Sequence, residues 1–493
     1  MSSDERRELW ESYSRSYSGV ASSMDKVTIV AITLVSYKLL LVAIGFWASR
    51  RTHDEEDFFL GGRRLGPFVA ALSYSSSSSS AWTLLGLSGA AYTLGVSAIW
   101  LVIGSMISMC VAWYWIAPRL MDRSRERDQL TLTDFLLDNS TGAIRAIMLV
   151  SISLIVLISF VFYIAAQFQG AGSAFSVAFD FSLNTSMFLG AFIIMLYTLM
   201  GGFWAVSVTD TVQGCLMAFA AILMPIAALL QVGGVSGFLT GLSAVSSVDQ
   251  LSLSSGNAGL LAIGLALGGM SIGFGTYGQP HLLIRFMALR DKKSLQQARL
   301  ITIFWYALVF FGMYFLGLVG HVLHPMTENP ENIFFLLTDS LFSTVLGAVL
   351  LATVLSAIMS TADSQLLVAA STIAHDLRAG GGSISVLFVS RVSIVILVFT
   401  SLALATLVPQ QIFDRVLFAW VALGAAFGPL LFMRLAGFEF ALWAPIFSIW
   451  VGFGSAVLLY LLPSNVPGSL DDRLLPFFIA LFTLLPWAKK PAK

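Results

Sequence analysis

Apolar residues run along this chain in long blocks rather than in alternation, and short polar segments separate the blocks. A helix that crosses a bilayer needs ~20 mostly apolar residues, because about 1.5 Å of rise per residue must cover a hydrocarbon layer about 30 Å thick. On that basis about thirteen spans are predicted: 27–48, 67–90, 96–118, 143–169, 183–205, 209–232, 259–282, 301–323, 344–375, 384–407, 413–433, 440–463 and 474–488. The expected class is an all-α integral membrane protein of about 13 transmembrane helices, since only helices and closed barrels satisfy their backbone groups in lipid. The first block lies behind a charged 26-residue segment and is too long for the apolar core of a signal peptide, so no cleavable leader is expected.

Composition sharpens this picture. Of 493 residues, 57% are apolar and 11% charged, against ~25% charged in a soluble domain, which excludes a soluble protein. The 27 basic and 27 acidic residues cancel, leaving no electrostatic footprint for nucleic acid. Cys110 and Cys215 each lie inside an apolar block, so neither a disulfide framework nor a zinc-type metal site is expected. No Gly-Lys-Ser/Thr phosphate loop is present to drive transport with ATP, and the five histidines lie near span ends and in loops, which disfavours a proton relay. No nucleophile and base stand together in a way that suggests an enzyme.

The loops set an orientation, because Lys and Arg stay on the cytoplasmic side. Arg50, Arg51, Arg63 and Arg64 follow span 1, five arginines from Arg119 to Arg145 follow span 3, and Arg285, Arg290, Lys292, Lys293 and Arg299 follow span 7. The loops after spans 2, 4, 6 and 8 carry no Lys or Arg. The alternation predicts an N-terminus outside and a cytoplasmic C-terminus holding Lys489, Lys490 and Lys493, which needs an odd number of spans. The Arg/Asp-rich segment 119–138 then reads as a solvated cytoplasmic loop.

Two spans read badly as continuous helices. Span 2 carries six consecutive serines, Ser75 to Ser80, whose hydroxyls compete for backbone groups. Span 7 carries Gly268, Gly269, Gly273, Gly275, Gly278 and Pro280, which combine backbone freedom with a missing donor. Irregular backbone at membrane depth survives only when it is buried in protein or lines a cavity. Span 2 opens one group of five and span 7 opens the next five, so the breaks occupy matching positions in two halves. An odd number of spans per half inverts the second copy, and such paired interruptions point to a secondary transporter with a midplane binding site. The rival reading is that Gly and Ser only allow close helix packing.

Polar groups inside the spans mark candidate chemistry. Span 9 holds Ser360, Thr361, Asp363 and Ser364 in an apolar setting, and an intramembrane carboxylate is a functional hypothesis by default. The three hydroxyls cover about one turn and offer hard oxygen ligands which, with carbonyls freed in the serine run, suit a small cation such as sodium. Asp210, near the start of span 6, is either a second buried acid or an N-terminal cap. Lys38 in span 1 is expected to snorkel or to pair with a neighbour.

Several stretches resemble the sodium/solute symporter family, and within it the branch that carries proline. They are Phe59-Leu-Gly-Gly-Arg-Arg-Leu-Gly-Pro-Phe-Val69, Gly201 to Gln213, Tyr277-Gly-Gln-Pro-His-Leu-Leu-Ile-Arg-Phe-Met287, Met359-Ser-Thr361 with Ser364-Gln-Leu-Leu-Val368, and Gly424-Ala-Ala-Phe-Gly-Pro429. The resemblance implies a LeuT-type five-plus-five inverted-repeat core. It divides the chain into an extracytoplasmic segment (1–26), helix 1 and its cytoplasmic loop (27–66), a first repeat (67–232), a second repeat (259–433), and helices 12 and 13 with a short tail (440–493). It also implies sodium-coupled uptake of a small organic solute, L-proline first, across a bacterial inner membrane, with the lipid bilayer and no obligate protein partner. Carried over by position, the sodium ligands are the carbonyls of Ser76, Ser79 and Ala357 and the hydroxyls of Ser360 and Thr361. A further sodium would use Asp210, Ser360, Asp363 and Ser364. The solute would lie among Ser80, Ala81, Tyr163, Ile272, Thr276, Gln279 and Pro280.

The departures fall in that pocket. The proline carriers have Asp where this chain has Ser78, Gly for Ala81, Trp for Ile272, Tyr for Thr276 and Cys for Ile164. Another amino acid or a small carboxylate is therefore an alternative solute. A transporter-like membrane sensor is a further one, and it would need a separate partner because only about five residues follow span 13.

Overall fold

The computed structural model describes residues 26–47, 55–138, 140–199, 202–376, 386–408, 411–441, 443–462 and 466–490. The segment 1–25, Arg50, Arg51, Gly201 and Lys493 lie outside the described residues. Helix is found at all thirteen predicted positions, and among the described residues ten stretches are each long and apolar enough to cross a bilayer. The helices at spans 5 and 13, Leu183–Thr198 and Leu470–Leu484, are shorter. Helices beyond the prediction include Gly234–Val245 and Ile333–Leu341, too short for a hydropathy window to find. Span 4 runs on to Phe179, past its predicted end, because Gly170 and Gly172 pack inside the bundle and the helix continues through them.

Both expected interruptions are present. Span 2 is α-helical over Pro67–Ser78, leaves helical geometry at Ser79 (φ −105°, ψ 74°), and resumes through a π-turn, Trp82–Gly86, into Leu87–Leu94. The serine run does not melt as a whole. Its first four members stay helical, and the hydroxyls of Ser76, Ser77 and Ser78 bond within the helix or to a neighbouring span. Span 7 is helical over Leu260–Ser271, tightens to a 3₁₀ segment at Ile272–Gly278, becomes extended at Gln279 (φ −85°, ψ 103°) and restarts with Pro280 at the first turn of Pro280–Ala288. Proline suits that position, because its missing N–H would be unsatisfied there anyway.

Span 2 packs against spans 6, 8 and 9, and the 3₁₀ segment of span 7 packs against span 11, Ile412–Leu435. The two broken spans are also tied at one end of the bundle, where the Leu65 amide donates to the Ala288 carbonyl (3.1 Å) and the Arg290 amide to the Leu65 carbonyl (3.0 Å). Segment 119–138 departs from the solvated loop expected. Ala117–Glu126 is helical, and Arg123 and Arg125 donate to the carbonyls of Arg434 and Leu289, so the arginines cap neighbouring helix ends. A two-residue antiparallel pairing, Glu439–Phe440 with Ala488–Lys489, fastens the final span.

Candidate functional site

The break in span 2 faces an uninterrupted stretch of span 9, Thr344–Ser371. Ser360 Oγ donates to the Ser76 carbonyl (3.0 Å) and Thr361 Oγ1 to the Ser77 carbonyl (2.9 Å). Both hydroxyls also lie 3.2 Å from the Ala357 carbonyl one turn back. Five oxygens from two spans thus converge in a region fully sealed from solvent. None carries a formal charge. Carbonyl and hydroxyl dipoles in this arrangement replace the inner hydration shell of a small hard cation. Ser77 joins the expected set through its carbonyl. Ser79 sits at the break, its amide still bonded to the carbonyls of Ser75 and Ser76.

Beside this lies an acidic centre. Asp210 does not cap its helix: the cap of Phe203–Gln231 is Gly202, and Asp210 is fully buried two turns further in. Its Oδ2 accepts from Ser73 Oγ (2.7 Å), Ser77 Oγ (3.1 Å) and Arg285 Nη2 (3.0 Å). Arg285, assigned by sequence to a basic loop, is only 1% exposed. Span 7 restarts at Pro280 and carries Arg285 back into the bundle, which a hydropathy reading cannot see. Asp363, the other acid, points to span 5, accepting from Thr198 Oγ1 (2.7 Å). Lys38 of span 1 contacts the Met359 sulfur of span 9.

On the far side of the break Tyr163 Oη donates to Ser80 Oγ (3.4 Å), and the Ala81 amide donates to Gln167 Oε1 (3.2 Å). Tyr163 and Gln167 are four residues apart on span 4 and so share a face. Gln279 Nε2 donates to the carbonyls of Gly275 (3.0 Å) and Trp420 (3.2 Å). Trp420 of span 11 stands edge-on to Tyr163 with ring centres 6.2 Å apart and donates to the Ile272 carbonyl (2.9 Å). Its indole packs against Gly275 of span 7. A Cβ at Gly275 would overlap that indole, so only glycine permits the approach. Pro280 starts the second half of span 7, and Thr276 pairs with Ser108 of span 3 (3.3 Å).

Comparisons with known proteins give the family and the fold. The model of the sodium:solute symporter family matches residues 58–438, well over half of the chain. The chain belongs to the sodium:solute symporter family. It is 33% identical over 478 residues to the osmoregulated proline transporter OpuE of Bacillus subtilis, covering 94% of this chain and 96% of that one. It is also 33% identical over 490 residues to the sodium/proline symporter of Escherichia coli, with 94% and 95% covered. Among solved structures, a Na⁺-coupled sialic acid symporter in a substrate-bound outward-open state superposes with a TM-score of 0.77 at 17% identity, covering 94% of this chain and 99% of that one. Mhp1, a nucleobase-cation-symport-1 family transporter, gives 0.57 at 14% identity, covering 88% and 95%. The fold of this symporter is the LeuT type, in a multi-pass membrane protein.

Four residues of the symporter's centre escaped the sequence reading. Gln167 had a local signal: it is a lone amide four residues beyond Tyr163. Ser73 and Ser77 share the same spacing on one helix face. Trp420 had none, because the glycine that admits it lies on another span.

Proposed function

We propose that this symporter imports a small zwitterion, L-proline first, with sodium, and that the ion binds among the carbonyls of Ser76, Ser79 and Ala357 and the hydroxyls of Ser360 and Thr361. The observation that carries the reading is the pair of hydroxyls, Ser360 and Thr361, aimed at the carbonyls of Ser76 and Ser77 where span 2 ends its helix. Sodium bound there pre-organises the broken span, stabilises the outward-open state and lets the solute bind beside it. The core then rocks and exposes both inward. Coupling is reciprocal, so the solute tightens sodium binding by the factor by which sodium tightens the solute.

The solute lies among Ser80, Ala81, Tyr163, Ile272, Gln279 and Pro280, with Thr276 supporting the wall through Ser108. Gln167 Nε2 and Gln279 Oε1 are buried with no hydrogen-bond partner among the described residues. One is a donor suited to a carboxylate and the other an acceptor suited to an ammonium, as a zwitterion requires. Uncompensated polar atoms cost ~1–3 kcal/mol each, so a ligand that satisfies both gains specificity as well as affinity. The curated relatives are named for proline. The different side chains at Ala81, Ile272 and Thr276 favour, as the second reading, another amino acid or small carboxylate of different shape.

The two repeats are assigned to 67–232 and 259–433, with the N-terminus outside and the C-terminus in the cytoplasm of a bacterial inner membrane. Proteoliposomes test the whole reading. L-Proline should accumulate against its gradient only under an inward sodium gradient. Uptake that ignores sodium refutes the coupling, and sodium-driven uptake of other amino acids but not proline moves the substrate to the second reading.

A further inference from the structure

Two carboxylates, Asp210 and Asp363, and the guanidinium of Arg285 lie buried in the bundle core, and their arrangement decides how many ions the core can take. Arg285 Nη2 is bonded at once to Asp210 Oδ2 (3.0 Å), Ser77 Oγ (2.9 Å) and Ser364 Oγ (2.6 Å). Its Nε donates to Ser73 Oγ (3.0 Å), and its Nη1 donates to the His281 carbonyl of its own helix. The guanidinium carbon lies 5.5 Å from the centre of the Phe203 ring. Side-chain exposures at the ion pair are 1% for Arg285 and 0% for Asp210.

The geometry points to Arg285 as a tethered cation that fills the acidic centre between spans 2, 6 and 9, so that this symporter binds one sodium ion and not two. The proposal rests on the sodium-symport reading and deepens it. Asp210 and Ser364, two of the four residues that would hold a further sodium, already coordinate Nη2. Asp363, the third, is turned to span 5, where its Oδ1 accepts from Thr198. A second cation at Asp210 would place two positive charges on one buried carboxylate, and burying an uncompensated charge is strongly unfavourable. The residues present therefore do not fit a second sodium. With Asp210 bonded to Arg285, the acidic centre holds its own cation before any ion arrives, and the remaining sodium site is built from neutral oxygens.

The tether also positions that neutral site. Ser77 gives its hydroxyl to the acidic centre and its carbonyl to Thr361, so the guanidinium fork on span 7 fixes the end of the span 2 helix. Arg285 lies five residues beyond Pro280 on the same span, and one side chain thereby links the broken spans of the two repeats.

Equilibrium binding of radioactive sodium to the purified protein counts the ions without any solute. The wild type should give a single-site isotherm. Arg285→Met leaves Asp210 without its partner and should convert the isotherm to two sites, while Asp210→Asn with Arg285→Met should return it to one. Two-site binding by the wild type overturns the proposal, and so does Arg285→Met binding one ion with wild-type affinity. If Arg285→Met does not fold, the wild type and the double variant decide, since two sites in either refute it. A wild type with no saturable sodium binding fails differently: it removes the sodium-symport reading itself.

Discussion

The break in span 2 falls at Ser79 and Ser80 in a run of hydroxyls, whereas the break in span 7 falls at Gln279 between glycines and a proline. Both free backbone groups at the centre of the bundle, yet their neighbours differ. The span 2 break is met by small polar side chains, Ser360 and Thr361, whose oxygens approach the carbonyls of Ser76 and Ser77 within 2.9–3.0 Å. The span 7 break is met by a large aromatic, Trp420, which bonds the Ile272 carbonyl and lies where any side chain at Gly275 would stand. Serine keeps polar groups close for an ion, and glycine clears volume for a wall. Under the proposed function the two breaks have two tasks: the first selects a cation by ligand chemistry, and the second shapes a solute pocket by steric fit.

The largest effect should come from removing the ion's oxygens. Ser360→Ala with Thr361→Ala should raise the sodium concentration for half-maximal uptake by roughly 100-fold, taking ~1.5 kcal/mol per lost ligand oxygen. An unchanged sodium response in the double variant would break the comparison at its first term. Next, Trp420→Ala should raise the solute KM by about tenfold or more through loss of a buried aromatic wall, while sodium binding to the solute-free protein stays close to wild type. Equal losses of sodium and solute affinity would show that the two breaks act as one site. The smallest change should be Thr276→Val, which removes the hydroxyl pair with Ser108 and costs about 1 kcal/mol of stability with little change in solute KM. A large KM shift would move Thr276 from the support of the wall into the pocket itself.

Much of this was legible in the chain. The spans follow from hydropathy, because lipid demands long apolar helices whatever their neighbours are. Both breaks were legible too, since serine runs and Gly/Pro clusters disturb a helix locally. Ser360 and Thr361 stood out because polar groups are conspicuous in an apolar span. Arg285 was misread for a related reason: near the predicted end of a span, a charged residue entering the core and one entering water look alike. Asp210 allowed two readings because a cap and a buried acid share a residue type, and only the helix start at Phe203 separates them.

The sequence by itself determined the membrane class, the helix positions, the two interruptions and the presence of neutral oxygens opposite one of them. These depend on solvent and on local backbone preference, which act over a few turns. Only the tertiary structure decided which charges meet, that Trp420 packs against Gly275 of span 7, and that Arg285 is bonded to Asp210. Those outcomes depend on contacts between residues 75 to 148 positions apart. Electrostatic pairing and steric fit of that kind are fixed when helices pack, and no single span contains both partners.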